Sequence, residues 1–157
     1  MKKKKFLSIL LLILISLIII IFIIKVITSV NIQKLIDKEI EKFNENEQVF
    51  ITIKDFFIKS EFDYDISISK DNIFEFVLSH EEITCFNYIF NDLGYTRITY
   101  YFEFVEQNNI IMFTYNPKRL NQVVIEIFYT GSSVDFYRGS YNINFENGWH
   151  FCYTAFT

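Results

Sequence analysis

Residues 97–115 read RITYYFEFVEQNNIIMFTY, and this stretch decides the fold class of the chain. Apolar and polar side chains alternate over 97–106, which is the period of a strand with one buried face. Three polar residues at 107–109 predict a hairpin turn, and 110–115 returns as a second apolar strand. The stretch therefore predicts an antiparallel pair of strands.

Strand patterns also lie on both sides of this pair. Segments that alternate or are rich in β-branched and aromatic residues are 49–58, 62–68, 73–78, 123–129, 134–137, 141–145 and 149–156. Asn147-Gly148 is the strongest hairpin signal, because a type I′ turn needs positive φ at both central residues. These segments predict about six to eight strands.

One helix is predicted within this β-rich region, at residues 81–93. Ser79 and Glu82 have the spacing of a capping box, and Gly94 follows as the expected C-terminal cap. Apolar residues recur at helical spacing at Ile83, Phe86, Ile89, Phe90 and Leu93. The fold class is therefore predicted as α+β, a mainly antiparallel β-sheet domain with one packed helix.

An uninterrupted apolar segment, residues 6–24, precedes this domain. It contains nine Ile, six Leu, two Phe and two Ser. As a helix it spans about 28 Å, close to the ~30 Å hydrocarbon core of a bilayer. The alternative is a secretory signal peptide cleaved near Thr28 and Ser29, but signal peptides have shorter apolar cores of about 7–15 residues. We therefore expect an uncleaved signal-anchor, a transmembrane helix in contact with the lipid bilayer.

Charge is divided unevenly between the two ends of the chain. Residues 2–25 hold five Lys and no acid, a formal charge of +5. Residues 26–157 hold ten Lys and Arg against nineteen Asp and Glu, a formal charge of −9. The positive-inside rule applied to the lysines at 2–5 predicts a cytoplasmic N-terminus and an extracytoplasmic C-terminal domain.

The predicted organisation is that of a single-pass protein of the cell membrane. Its parts are a cytoplasmic basic tail at 1–5, a transmembrane anchor at 6–24, a helical stalk at 25–48 and an extracytoplasmic α+β domain at 49–157.

Composition and spacing disfavour several classes of site. The acidic domain disfavours nucleic-acid binding, which needs clustered Lys and Arg. Asp63 and Asp65 share a strand face, but two carboxylates fall short of the six to eight oxygens that calcium takes. His80 and His150 lack zinc-motif spacing with the two cysteines. We predict no cofactor, no metal site and no catalytic residue, and expect that the chain is not an enzyme.

Two features predict sites of other kinds. Cys85 and Cys152 are candidates for a disulfide in an oxidising compartment, with buried thiols as the alternative. Aromatic residues of the C-terminal half are a candidate binding surface for a protein or cell-wall ligand, with core packing as the alternative. That surface consists of Tyr101, Tyr137, Tyr141 and Trp149.

Three parts of the domain carry a resemblance to known proteins: Phe62–Asp65 with Ser79–Ile83, the hairpin Phe102–Ile111, and Asn147–Trp149. Together they resemble a group of small, uncharacterised, membrane-anchored bacterial envelope proteins. The resemblance covers about half of the domain. Tyr64 stands where that group has Trp, and the usual Pro-Tyr before the helix is absent. The resemblance implies an N-terminal anchor, and it carries no known activity and no functional residue.

The sequence thus predicts a membrane-anchored extracytoplasmic protein with a non-catalytic binding or accessory role in the bacterial cell envelope. One alternative is a membrane-associated immunity protein that neutralises a toxin through its acidic surface. Another is an envelope hydrolase that uses Asp63 or His150. An exposed aromatic patch favours binding, a concentrated acidic face favours immunity, and a cleft joining either residue to other polar groups favours hydrolysis.

Overall fold

The computed structural model describes residues 2–105, 108–116, 123–130, 141–145 and 148–155. The chain divides into two compact units, residues 1–39 and 40–157. Helix α1, Lys2–Glu45, begins in the first unit and ends in the second. Between residues 13 and 24 its large apolar side chains are 45% to 68% exposed. The predicted N-terminal apolar helix is confirmed, and it is long and apolar enough to cross a membrane.

The second unit is an α+β domain, as predicted. Its further helices are α2 (Glu47–Lys59), a short 3₁₀ helix (Ile73–Glu75) and α3 (His80–Asn91). Its strands are β1 (Ile66–Ile68), β2 (Arg97–Val105), β3 (Asn108–Tyr115), β4 (Val123–Tyr129), β5 (Tyr141–Asn144) and β6 (Trp149–Ala155). In the described part of the chain they form one sheet of order β1-β2-β3-β4-β6-β5, with antiparallel neighbours throughout.

The strand register gives the sheet two distinct sides. Ile98, Phe113, Ile127 and Phe151 are register partners across four strands, and each is 0% exposed. Helix α2 packs on this side, because the ring of Phe50 lies 4.9 Å from the ring of Phe113. We call it the helix side. A second cluster, on the far side, contains Ile110, Met112, Phe128 and Cys152.

Residues 49–58, predicted as a strand, lie in helix α2 instead. The segment is rich in β-branched and aromatic residues, which favour strands. Yet Phe50, Ile53 and Phe57 are spaced three and four residues apart, and all three are 0% exposed. A helix places this spacing on one face, so burial of that face outweighs the local preference.

The segment 73–78, also predicted as a strand, pairs with no described strand. Its first three residues form the 3₁₀ helix and the next three are irregular. The helix that follows matches prediction more closely: α3 has the Ser79–Glu82 capping box, and Gly94 adopts φ +79°. The predicted strand 134–137 lies outside the described residues.

Aromatic rings form much of the core. Phe50 lies at its centre, with ring centroids 5.0 Å from Phe43, 5.6 Å from Tyr95 and 6.3 Å from Trp149. The Phe57 ring stacks on Tyr100 at 5.6 Å. Core packing therefore accounts for many of the aromatic residues.

We expect Phe50→Ala to destabilise the domain by about 3–5 kcal/mol, because it leaves a cavity between helix and sheet. Urea unfolding of the full chain in detergent micelles, followed by circular dichroism, measures the change in midpoint. The matched control is Phe74→Ala, which removes a ring that is 79% exposed and should cost less than about 0.5 kcal/mol. Equal losses from the two variants would contradict the assignment of Phe50 to the core.

Candidate functional site

The prediction that Trp149 belongs to an exposed aromatic surface is wrong, and Trp149 and Tyr101 do not lie on one strip. Trp149 is 2% exposed and packs on the helix side, with its ring 6.0 Å from that of Phe113. Tyr101 is half-buried and packs against the far-side cluster. The two rings therefore belong to opposite sides of the sheet. Tyr141 begins β5, but its side chain lies outside the described part, as does all of Tyr137.

The predicted disulfide is also wrong, because Cys85 and Cys152 remain thiols. Cys152 is 0% exposed and belongs to the far-side cluster. Cys85 lies on α3, which packs against α2 through the rings of Phe86 and Phe56, 5.6 Å apart. The sheet stands between the two sulfur atoms, so they cannot meet.

His150 and Asp65 have structural partners, whereas Asp63 is exposed. His150 is 3% exposed, lies 3.2 Å from Thr130 Oγ1 and stacks on Phe128. Asp65 Oδ1 accepts a hydrogen bond of 2.9 Å from the backbone N–H of Phe102. His80 is the exposed first residue of α3. Among the residues that the structure describes, no group of three His, Cys, Asp or Glu side chains could hold a metal ion.

The loop between β1 and α3 was not predicted from the sequence. The side chain of Asn72 closes its first turn: Nδ2 donates to the Ser67 carbonyl at 2.9 Å, and Oδ1 accepts from the Ser69 N–H at 2.7 Å. At the other end, Ser79 N–H donates to Glu82 Oε2 at 2.7 Å, and Ser79 Oγ accepts from Glu82 N–H. Polar contacts thus fix both ends of an apolar segment.

That segment forms an open pocket of about 330 Å³ with one face of α3. Its lining is Ile73, Phe74, Phe76, Leu78, Ile83 and Asn87. Ile83 and Asn87 are one helical turn apart and share a face. Only the Asn87 amide is polar, so the pocket suits an apolar group and offers one position for a hydrogen bond.

The pocket is part of a larger exposed apolar area. Phe74 is 79% exposed, Val77 is 100% exposed and Ile83 is 42% exposed. We call the six residues 73, 74, 76, 77, 78 and 83 the Phe74 surface. Single exposed apolar residues are ordinary, but several of them in and next to the segment that forms a pocket are typical of a binding site.

The sequence contained signals for this surface. The apolar run at 73–78 lies between a turn and a capping box, and was interpreted as a strand. Ile83 has the spacing of the core residues Phe86 and Ile89, but those two are 0% exposed, whereas Ile83 lies at the edge of the buried face. The spacing identifies a face only to within one position, so it could not separate a core residue from a pocket residue.

Acidic residues are concentrated around this surface. Residues 61–92 contain eight Asp and Glu and one Lys, a formal charge of −7, while residues 40–60 and 93–157 each sum to −1. Within 71–92 there is no Lys or Arg. Asp71, Glu75 and Glu81 are all exposed. The domain therefore carries its negative charge mainly on the segment that carries the pocket.

The Cys85 thiol lies on the same helix as the pocket. Burial raises its pKa above the ordinary value of 9.0, and the carboxylates of Glu81 and Glu82 raise it further against a hydrogen bond with Thr52 that lowers it. The thiol therefore stays protonated at neutral pH, and a protonated thiol is a poor nucleophile.

We expect two titratable thiols per chain in denaturant without reductant, because neither cysteine is bridged. In the folded chain, Cys85 should react with a thiol reagent more slowly than free cysteine, and faster as pH rises towards its raised pKa. Cys152 should stay protected, and Cys85→Ser should remove the native-state reaction. Fewer than two thiols in denaturant would contradict the structure.

Comparison with protein-family models, with curated proteins and with solved structures found no match. Functional evidence therefore comes from the geometry of the domain, and above all from the Phe74 surface and its acidic surroundings.

Proposed function

We propose that this chain is a single-pass, membrane-anchored protein of the bacterial cell envelope, whose extracytoplasmic domain binds a protein partner through the Phe74 surface. The observation that carries the proposal is the exposure of Phe74 and Val77, at 79% and 100%. Burial of one apolar side chain of this kind contributes about 1.5–3 kcal/mol of favourable free energy. A partner that covers these side chains therefore gains binding free energy.

The anchor and its orientation are supported by the sequence on each side of the apolar segment. Four lysines at 2–5 precede it, and an isolated Lys25 follows it. This asymmetry favours retention of the N-terminus in the cytoplasm. The domain then faces the space outside the membrane.

The composition of the pocket supports binding in preference to catalysis. None of its six lining residues carries a carboxylate, imidazole or thiol. At about 330 Å³ it is at the small end of ligand pockets, which occupy about 300–1,000 Å³. An apolar side chain of a protein partner fits both the volume and the lining.

A second candidate, an immunity protein, is supported by the acidic segment 61–92. Its formal charge is −7, and all of its acidic residues except the half-buried Glu82 are exposed. Electrostatic complementarity of this kind accelerates association with a basic toxin and selects against other partners. Both candidates use the same surface, and they differ in the identity of the partner.

The orientation can be tested with Val77→Cys in a Cys85→Ser background. We expect a membrane-impermeant maleimide to label this variant in intact cells, because residue 77 is fully exposed on the extracytoplasmic domain. The Cys85→Ser chain without the new cysteine is the control, since its remaining Cys152 is 0% exposed. Labelling that requires permeabilised cells would reverse the proposed topology.

The binding role can be tested with a photo-crosslinking phenylalanine at position 74. We expect irradiation of intact cells to give one discrete protein adduct, and Ile83→Asp to abolish it by placing a charge in the pocket. The same photo-crosslinker at position 58, an Ile that is 52% exposed on α2, is the matched control. Equal adducts at both positions, or none at position 74, would contradict a partner at this surface.

A further inference from the structure

We propose that the partner of the Phe74 surface is a cationic amphipathic protein segment, with an apolar anchor side chain flanked by Lys or Arg. The inference rests on the proposed function and adds the chemical class of the partner. Its basis is that the apolar pocket and the negative charge of the domain occupy the same part of the molecule.

The acidic side chains lie within the surface in sequence as well as around it. Glu75 lies between the pocket residues Phe74 and Phe76, Asp71 precedes the 3₁₀ helix, and Glu81 follows the segment in the first turn of α3. Each of the three carboxylates is on an exposed residue. A segment whose apolar residue enters the pocket therefore meets a stretch of chain that carries exposed carboxylates before, within and after its apolar residues.

These carboxylates are available to a partner. Asp71 forms a hydrogen bond through its backbone N–H, which donates to Ser69 Oγ, and segment 71–92 holds no Lys or Arg of its own. Like charges concentrated on the segment that forms an apolar pocket raise the local concentration of cations and disfavour anionic ligands. A partner with basic flanks meets both the apolar and the electrostatic requirement.

The lipid bilayer is a less suitable occupant. Segments that insert into membrane interfaces combine Trp, Phe or Leu with Lys and Arg, which attract anionic headgroups. The Phe74 surface combines its apolar residues with Asp and Glu, which anionic headgroups repel. Its charge therefore opposes insertion of Phe74 and Val77 into the membrane that holds the anchor.

A second copy of this chain is also less suitable. A two-fold contact would place each surface against its own copy. Asp71, Glu75 and Glu81 of one copy would then face the same carboxylates of the other, and like charges at an interface oppose association.

The class of partner can be read from a peptide selection on the full chain in zwitterionic lipid nanodiscs. A displayed library of random 12-residue peptides is selected on the wild-type chain and counter-selected on Phe74→Ser. We expect enriched peptides to hold an aromatic or aliphatic residue with Lys or Arg on both sides. Enriched peptides without an excess of Lys or Arg would overturn the inference of a cationic partner but leave binding at the Phe74 surface supported. If no peptide is enriched, both the cationic partner and binding at this surface would be overturned.

Charge variants test the role of the carboxylates directly. We expect Asp71→Asn, Glu75→Gln and Glu81→Gln together to weaken binding of a selected peptide about tenfold. The matched control removes the same charge from exposed residues elsewhere, with Glu41→Gln, Glu45→Gln and Glu47→Gln, and should change affinity less than twofold. Glu82 is left intact because it caps α3. Equal weakening by both sets would overturn a local role for the acidic residues.

An environment-sensitive fluorophore on Val77→Cys, again in the Cys85→Ser background, decides between peptide and bilayer. In proteoliposomes of phosphatidylcholine and phosphatidylglycerol we expect solvent-like emission, which shifts to the blue on addition of a selected peptide. A blue shift caused by the vesicles alone would identify lipid as the occupant and overturn the proposal.

Discussion

The ring of Phe50 is the contact on which the architecture of the domain depends. It is 0% exposed and joins α1, α2 and the sheet, through Phe43, through its own helix and through Phe113. The free energy gained by burying one such ring is large compared with the small net free energy of unfolding of a domain. The packing of α2 on the helix side then brings Phe56 against Phe86, which holds α3 in place.

The Phe74 surface lies beside a helix face that is already buried. Phe86 and Ile89 occupy the inner face of α3 with 0% exposure, and the neighbouring apolar loop leaves Phe74 and Val77 exposed. The Asn72 side chain and the Ser79–Glu82 capping box satisfy backbone groups at both ends of the loop. These polar contacts fix the loop with Phe74 and Val77 exposed to water. The stability of the rest of the fold offsets the free-energy cost of that exposure.

Local sequence signals predicted those elements in which the spacing of the apolar residues matches the spacing of the residues that the fold buries. The alternation at 97–106 gave β2, the segment 123–129 gave β4, and the spacing of Ser79 and Glu82 gave the start of α3. Residues 49–58 were misinterpreted because Val, Ile and Phe favour strands, whereas the decisive fact is which side chains a distant sheet buries. That fact depends on long-range packing, which residue preferences do not contain.

The candidate site was missed for a related reason. The signal for a strand and the signal for an exposed apolar loop are the same run of residues, IFEFVL at 73–78, and only the absence of a pairing partner separates them. The far side of the sheet shows the converse, because His150 and Cys152 have the residue types of a reactive site and are 3% and 0% exposed. Residue type alone therefore separates neither a buried side chain from a reactive one on the far side nor a strand from an exposed apolar loop at 73–78.

The acidic residues around the Phe74 surface also explain how a folded domain tolerates such exposure. An apolar patch without charge would bind lipid, other copies and unrelated proteins with similar affinity, since hydrophobic contact has little direction. Carboxylates interspersed with the apolar residues penalise each of those partners unless it brings positive charge, so specificity arises from repulsion as much as from attraction. In the proposed function, anchoring would add a further selection, because a partner held in the same membrane would meet the surface at a high effective concentration. A modest pocket can then give strong discrimination without strong intrinsic affinity.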